Sequence, residues 1–166
     1  YFDKSLEYAE LLITYHSEKW QGYVGASQAL VALNRFEDAL AKVDAGLEKF
    51  PNQYNLLIIA IEVYRKSKKR EKSLDFQELL MAFYPEKWQG YGGAAQDLVA
   101  LNRFDEAKGK IETGLKRFPN QLNLLDIAIH VFHEADNCEK SIEYALHLIN
   151  CYPDSSIGYL RLIKLG

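Results

Sequence analysis

The segment at residues 18–53, EKWQGYVGASQALVALNRFEDALAKVDAGLEKFPNQ, decides the fold, because it returns at 86–121 as EKWQGYGGAAQDLVALNRFDEAKGKIETGLKRFPNQ, identical at 24 of 36 positions. The stretches that follow the two copies correspond as well. Asn55-Leu56-Leu57, Ile59-Ala60-Ile61 and Val63 recur as Asn123-Leu124-Leu125, Ile127-Ala128-Ile129 and Val131, and Glu71-Lys72-Ser73 recurs as Glu139-Lys140-Ser141. The chain has only four prolines, at 51, 85, 119 and 153, and they divide this 68-residue period into halves of 34. Punctuation that regular marks a repeat array. Two kinds of 34-residue unit alternate: a Trp type at 20–53 and 88–121, and a Leu type at 54–87 and 122–155.

Within each unit the apolar residues recur at three- and four-residue steps in two blocks, which is the spacing of helices and not of strands. In the first Trp-type unit Tyr23, Ala26, Leu30 and Leu33 form one stripe; Phe36, Ala39, Leu40, Val43 and Leu47 form the next. Asn34-Arg35 reads as a short turn between the blocks. Phe50-Pro51-Asn52 closes the second block, since proline lacks the amide that a continuing helix needs. Each unit is therefore predicted to be a helical hairpin. One hairpin cannot cover its own apolar face, so neighbours must stack, and about three units are needed for stability.

Composition agrees. The 166 residues are 48% apolar, with 20 basic and 23 acidic side chains and a net charge of −3. A chain of this length buries roughly 68–70% of its unfolded surface, which excludes a disordered tail and a disulfide miniprotein. The charge gives no overall attraction to nucleic acid or an anionic membrane. No apolar run reaches the ~18–20 residues of a membrane span, and the start, Tyr1-Phe2-Asp3-Lys4, is not a signal peptide. Cys138 and Cys151 fall on one predicted helix, about 20 Å apart at ~1.5 Å per residue, too far to pair with each other. Free thiols fit a reducing compartment, so the cytoplasm is the expected location.

Both ends carry half a unit. Residues 1–19 supply only a second helix, with Lys4-Ser5-Leu6 matching Lys72-Ser73-Leu74, and 156–166 supply only a first. That last helix holds Ile157, Tyr159, Leu160, Leu162, Ile163 and Leu165, more apolar than the polar caps that end natural arrays. The expectation is one repeat domain over 1–166, excised from a longer protein or able to associate with another copy through its terminal half repeats.

These residues resemble the tetratricopeptide repeat (TPR) family. The match is best in the second helix: Ala39 and Ala107 occupy its tight inter-helix site, Ser73 and Ser141 replace them in the Leu type, and Pro51, Pro85, Pro119 and Pro153 close all four units. Arg35-Phe36-Glu37-Asp38-Ala39 and Arg103-Phe104-Asp105-Glu106-Ala107 look like the family's entry into that helix. The first helix departs from the pattern. Tyr23, Tyr91, Leu57 and Leu125 stand where the family usually has Trp, and Ile61 and Ile129 fill a site normally held by a small residue. The resemblance covers the whole chain and implies an all-α, right-handed superhelical solenoid of stacked helical hairpins.

It also implies a concave face lined by first helices. Read onto this chain, that face presents Gln21, Val24, Gln28 and Val31, then Asn55, Ile58, Glu62 and Arg65. The later units supply Gln89, Gly92, Gln96 and Val99, then Asn123, Asp126, His130 and His133. Gln21, Asn55, Gln89 and Asn123 form one carboxamide row; Gln28, Glu62, Gln96 and His130 form a second polar row. Carboxamides donate and accept, so such rows suit an extended peptide backbone. The Lys/Asn clamp with which chaperone-binding members hold a C-terminal carboxylate is absent.

Other motifs carry less. Gly90-Tyr91-Gly92-Gly93-Ala94-Ala95 spells a dinucleotide fingerprint but lacks the strand that mechanism requires, so close helix packing is its reading. His130 and His133, near Cys138, have no second ligand pair to complete a metal site. The basic run Arg65, Lys66, Lys68, Lys69, Arg70 and Lys72 loses its charge in the other Leu-type unit and reads as a solvated turn, with anion binding as its alternative. Trp20 and Trp88 read as apolar wedges between units. No nucleophile–base order or paired-carboxylate signature appears, and no cofactor or metal is expected. The chain is therefore read as a non-enzymatic scaffold that binds a peptide or protein segment in its groove. The alternative, from the likeness of the Trp-type phrase to repeats attached to bacterial glycosyltransferases, is a docking or oligomerisation domain of a polysaccharide-synthesis enzyme.

Overall fold

The computed structural model describes residues 1–165, and all the regular elements among them are helices. They run α1 Phe2–Tyr15, α2 Trp20–Ala32, α3 Phe36–Lys49, α4 Tyr54–Lys66, α5 Arg70–Phe83, α6 Gln89–Ala100, α7 Phe104–Arg117, α8 Leu122–Glu134, α9 Cys138–Cys151 and α10 Ser156–Leu165. The chain divides into two compact units, Tyr1–Tyr84 and Pro85–Gly166. Unit 1 holds α1 to α5 and unit 2 holds α6 to α10.

The hairpin turns share one backbone device. A residue with positive φ stands at Asn34 (58°), Lys68 (61°), Asn102 (58°) and Asp136 (54°). The residue after each sends its amide back over the turn: Arg35 to the Leu30 carbonyl at 2.8 Å, Lys69 to Tyr64 at 2.8 Å, Arg103 to Leu98 at 2.9 Å and Asn137 to Phe132 at 2.8 Å. This bond caps the end of the first helix and reverses the chain. Asn and Asp tolerate the left-handed region because their short polar side chains bond locally; Lys68 has no such advantage.

The two helices of each hairpin meet at residues that occupy little space. Ala39 and Ala107 are fully buried there, as are Ser73 and Ser141 in the Leu type. A buried hydroxyl needs an acceptor. Ser141 donates to the Ile129 carbonyl at 2.8 Å, and Ser73 faces the Ile61 carbonyl at 3.5 Å. About two turns further on, the two types diverge. A Cβ on Gly46 would sit 2.9 Å from Tyr23 Cβ, and one on Gly114 would sit 2.8 Å from Tyr91 Cβ. The Leu type places buried Leu80 and Leu148 at those positions, with Leu57 and Leu125 where the tyrosines were.

The core of unit 1 gathers Tyr23, Leu30, Leu40, Val43, Leu56, Ile59 and Val63, with Trp20 half-buried against it, and a second cluster of Leu57, Ile61 and Leu80. In unit 2 Leu98, Ile111, Leu124, Leu125, Ile129, Phe132 and Leu148 are almost fully buried. The glycine-rich segment lies in the first half of α6, not after a strand. A Cβ on Gly92 would meet Ile127 Cδ1 at 2.8 Å, so the glycine lets α8 approach α6.

Candidate functional site

Within each unit, neighbouring first helices pack side by side: α2 against α4, α6 against α8, and α8 against α10. Their outward stripe is where the sequence places the groove. On α2 and α4, Gln21, Gln28, Asn55 and Glu62 are exposed, while Val24, Val31, Ile58 and Arg65 are half-buried between them. In unit 1 the adjacent helices α2 and α4 thus each carry exposed polar residues, Gln21 and Gln28 on one and Asn55 and Glu62 on the other, together with half-buried Val24, Val31 and Ile58. That alternation follows from a 3.6-residue period with one polar side.

Unit 2 repeats the plan with three changes. Gln96, Asn123 and His133 are exposed and Gln89, Asp126 and His130 half-buried. Gln89, unlike Gln21, is half-buried, and its Oε1 is enclosed by protein with no hydrogen-bond partner among the described residues. Asp126 is engaged by the last helix: Arg161 donates to its two carboxylate oxygens, Nε at 2.6 Å and Nη2 at 2.9 Å. This bidentate pair raises the Arg161 pKa further above its ordinary value. His130 Nδ1 lies 3.7 Å from Glu134. Among the described residues no three His, Cys, Asp or Glu side chains gather as a metal site, and His130, His133 and Cys138 do not converge.

Arg161 is the participant that the sequence reading missed. It belongs to the terminal half repeat, 35 residues from Asp126, and the residues 34 positions before it in each unit carry no basic group that would have signalled the pairing. The basic run is spread along the turn between α4 and α5. Lys69 lies 3.5 Å from Glu37 and Lys72 3.4 Å from Asp75, so part of its charge is answered within the unit. At the two ends of the array apolar residues stay exposed: Tyr8, Leu11 and Tyr15 on α1, and Tyr159, Leu160 and Ile163 on α10. Among the described residues no helix is long and apolar enough to cross a membrane.

No protein-family model matches the chain, and no curated protein matches it. Solved structures do. A tetratricopeptide repeat protein from Parabacteroides merdae ATCC 43184 aligns over 99% of this chain and 65% of its own, with a TM-score of 0.82 at 14% identity. MamA 41-end from Desulfovibrio magneticus RS-1 aligns over 93% of this chain and 87% of its own, with a TM-score of 0.79 at 14% identity. A thermophilic TPR protein from Thermus thermophilus aligns over 99% and 90%, with a TM-score of 0.74 at 11% identity. At these identities the likeness is one of fold. The chain has the all-α architecture of tetratricopeptide repeat solenoids.

Proposed function

We propose that this chain is a protein-interaction scaffold whose first-helix face binds an extended peptide or protein segment. The observation that carries the reading is that the adjacent first helices α2 and α4 each expose polar side chains, Gln21 and Gln28 on one and Asn55 and Glu62 on the other, with Val24, Val31 and Ile58 half-buried. Carboxamides can bond a peptide backbone in both senses, while the apolar floor accepts alternate side chains. Asn123, Gln96 and His130 supply the same chemistry in unit 2. A TPR-fold neighbour of this chain occurs in the APC/C hetero-tetramer Cut9–Hcn1, which supports a role in assembly. The reading involves no catalytic step, and with Cys138 and Cys151 as free thiols it suits the cytoplasm.

The test is selection of peptides from a random display library against the untagged chain, followed by affinity measurement on the double variant Gln28→Ala with Gln96→Ala. Both positions are exposed, so helicity should be unchanged while affinity falls about tenfold, two side-chain hydrogen bonds at roughly 0.5–1.5 kcal/mol each. Unchanged affinity would remove the polar rows from the binding face. The exposed apolar ends favour a second reading, a docking or oligomerisation domain of a larger polysaccharide-synthesis enzyme such as a glycosyltransferase. Sedimentation of the chain at high concentration separates the two: self-association that Ile163→Lys abolishes supports docking through α10, and a strict monomer counts against it.

A further inference from the structure

In unit 2 the loop after α7 and the last turn of α9 bring a carboxamide, an imidazole and a thiol within hydrogen-bond distance of one another, the thiol donating to the Asn120 oxygen. His147 Nε2 lies 3.2 Å from Asn120 Oδ1, and Cys151 Sγ lies 3.5 Å from that oxygen and 3.5 Å from the same His147 nitrogen. His147 and Cys151 are one helical turn apart on a single face of α9. The Tyr152 hydroxyl bonds the Asn120 carbonyl and so fixes the loop against the helix end.

We propose that Asn120, His147 and Cys151 bind a divalent cation of the Zn²⁺ class, through thiolate sulfur, imidazole Nε2 and amide oxygen, with water at the fourth vertex. Zinc bonds of about 2.3 Å to sulfur and about 2.0–2.2 Å to nitrogen and oxygen put tetrahedral ligand atoms about 3.5 Å (S to N), 3.6 Å (S to O) and 3.4 Å (N to O) apart. The three observed separations are 3.5, 3.5 and 3.2 Å. The three separations thus agree with those of a tetrahedral site to about 0.2 Å. Binding releases the Cys151 thiol proton to solvent, and the imidazole enters neutral.

The position on the helix agrees. Cys151 is the last residue of α9, where the negative end of the helix dipole favours a cation. The same feature argues against a nucleophilic Cys-His-Asn triad. In a triad the Asn holds the imidazole nitrogen remote from the nucleophile, whereas here Asn120 and Cys151 face the same Nε2, and the helix end offers carbonyls where an oxyanion needs amides. His147 also lines an open cleft of about 450 Å³, together with Leu115, Leu125, Glu143, Tyr144 and Asn150. Unit 1 provides an internal contrast. Tyr84 donates to the Asn52 carbonyl at 2.6 Å in the same way, but Leu79 and Phe83 stand in place of His147 and Cys151.

The experiment is a titration of the untagged, reduced chain with Co²⁺ as a spectroscopic substitute for Zn²⁺. One equivalent should produce a sulfur-to-cobalt charge-transfer band and d–d bands of tetrahedral strength, both bleached by Zn²⁺. Cys151→Ser should remove the charge-transfer band and weaken binding by at least about tenfold, the least that even an outer-shell change costs at a metal site. Cys138→Ser should leave both unchanged. His147→Leu with Cys151→Phe, the pair that unit 1 carries, should abolish binding while circular dichroism confirms an unchanged fold. Absence of the charge-transfer band in the parent chain, its survival in Cys151→Ser, or its loss in Cys138→Ser would each overturn the assignment.

Discussion

The Trp-type and Leu-type hairpins build the same backbone from opposite distributions of volume. In the Trp type a tyrosine of the first helix lies over a glycine of the second, Tyr23 over Gly46 and Tyr91 over Gly114; in the Leu type both helices contribute a leucine, Leu57 with Leu80 and Leu125 with Leu148. The closing residue alternates with them. Phe50 and Phe118 pack their rings on Tyr23 and Tyr91, at centroid distances of 6.2 and 6.1 Å, whereas Tyr84 and Tyr152 reach back to the carbonyls of Asn52 and Asn120. The lesson is that the 34-residue period sets where the helices go, and the 68-residue period sets how each pair fills the space between them. Cores tolerate such exchange when total volume is kept.

Four measurements can break or sharpen that comparison. The largest effect is expected from Leu148→Ala, which opens a void beside a fully buried position; chemical denaturation should show a loss of about 3–5 kcal/mol. A loss near zero would mean that the leucine pair does not support the Leu-type hairpin. Next come two glycines of α7 that should respond with opposite signs. Gly114→Ala drives a methyl against Tyr91 Cβ, 2.8 Å away, and should cost about 1–3 kcal/mol. Gly109 has no neighbour within 4 Å of its Cβ position, so Gly109→Ala should stabilise the helix by about 0.5–1 kcal/mol. The same sign for both would refute the ring-over-glycine account.

The third measurement concerns the turn that departs from the pattern. Lys68 adopts the left-handed conformation that Asn34, Asn102 and Asp136 hold elsewhere, so Lys68→Asn should raise stability by up to about 1 kcal/mol, seen as a higher Tm. The smallest effect should appear only in alkali. Tyr64 donates to Asp44 at 2.8 Å, and burial first, then that hydrogen bond and the Asp44 charge, push the phenol from 10.0 up to about 12. The folded state thus holds this proton more tightly than the unfolded state. Its contribution is fully present below pH 10 and is lost as the pH rises from 10 to about 12. Tyr64→Phe should flatten stability across that window, and an unchanged slope would place the alkaline transition elsewhere.

Most of the fold was legible because its causes are local. Apolar residues three and four apart, proline at a fixed place and Asn between the two blocks are each read within one or two helical turns, and they predict the hairpins and the turns at Asn34 and Asn102. The basic run reads as a turn, but nothing in it singles out Lys68 as the residue that takes positive φ. Periodicity also placed Gln21, Gln28, Asn55, Glu62, Gln96, Asn123 and His133 on an exposed face. Gln89 is half-buried with its amide oxygen enclosed, and no local pattern foretells that Asp126 meets Arg161.

What the sequence determined by itself is the kind of unit, its length, its two alternating forms and the polar stripe of its first helices, because helix periodicity and chain termination are written in neighbouring residues. Only the tertiary structure decided which distant side chains meet. Arg161 with Asp126, and Asn120 with His147 and Cys151, join residues 27 to 35 positions apart. Their encounter depends on the stacking of successive hairpins, which sets ångström distances that no local pattern encodes.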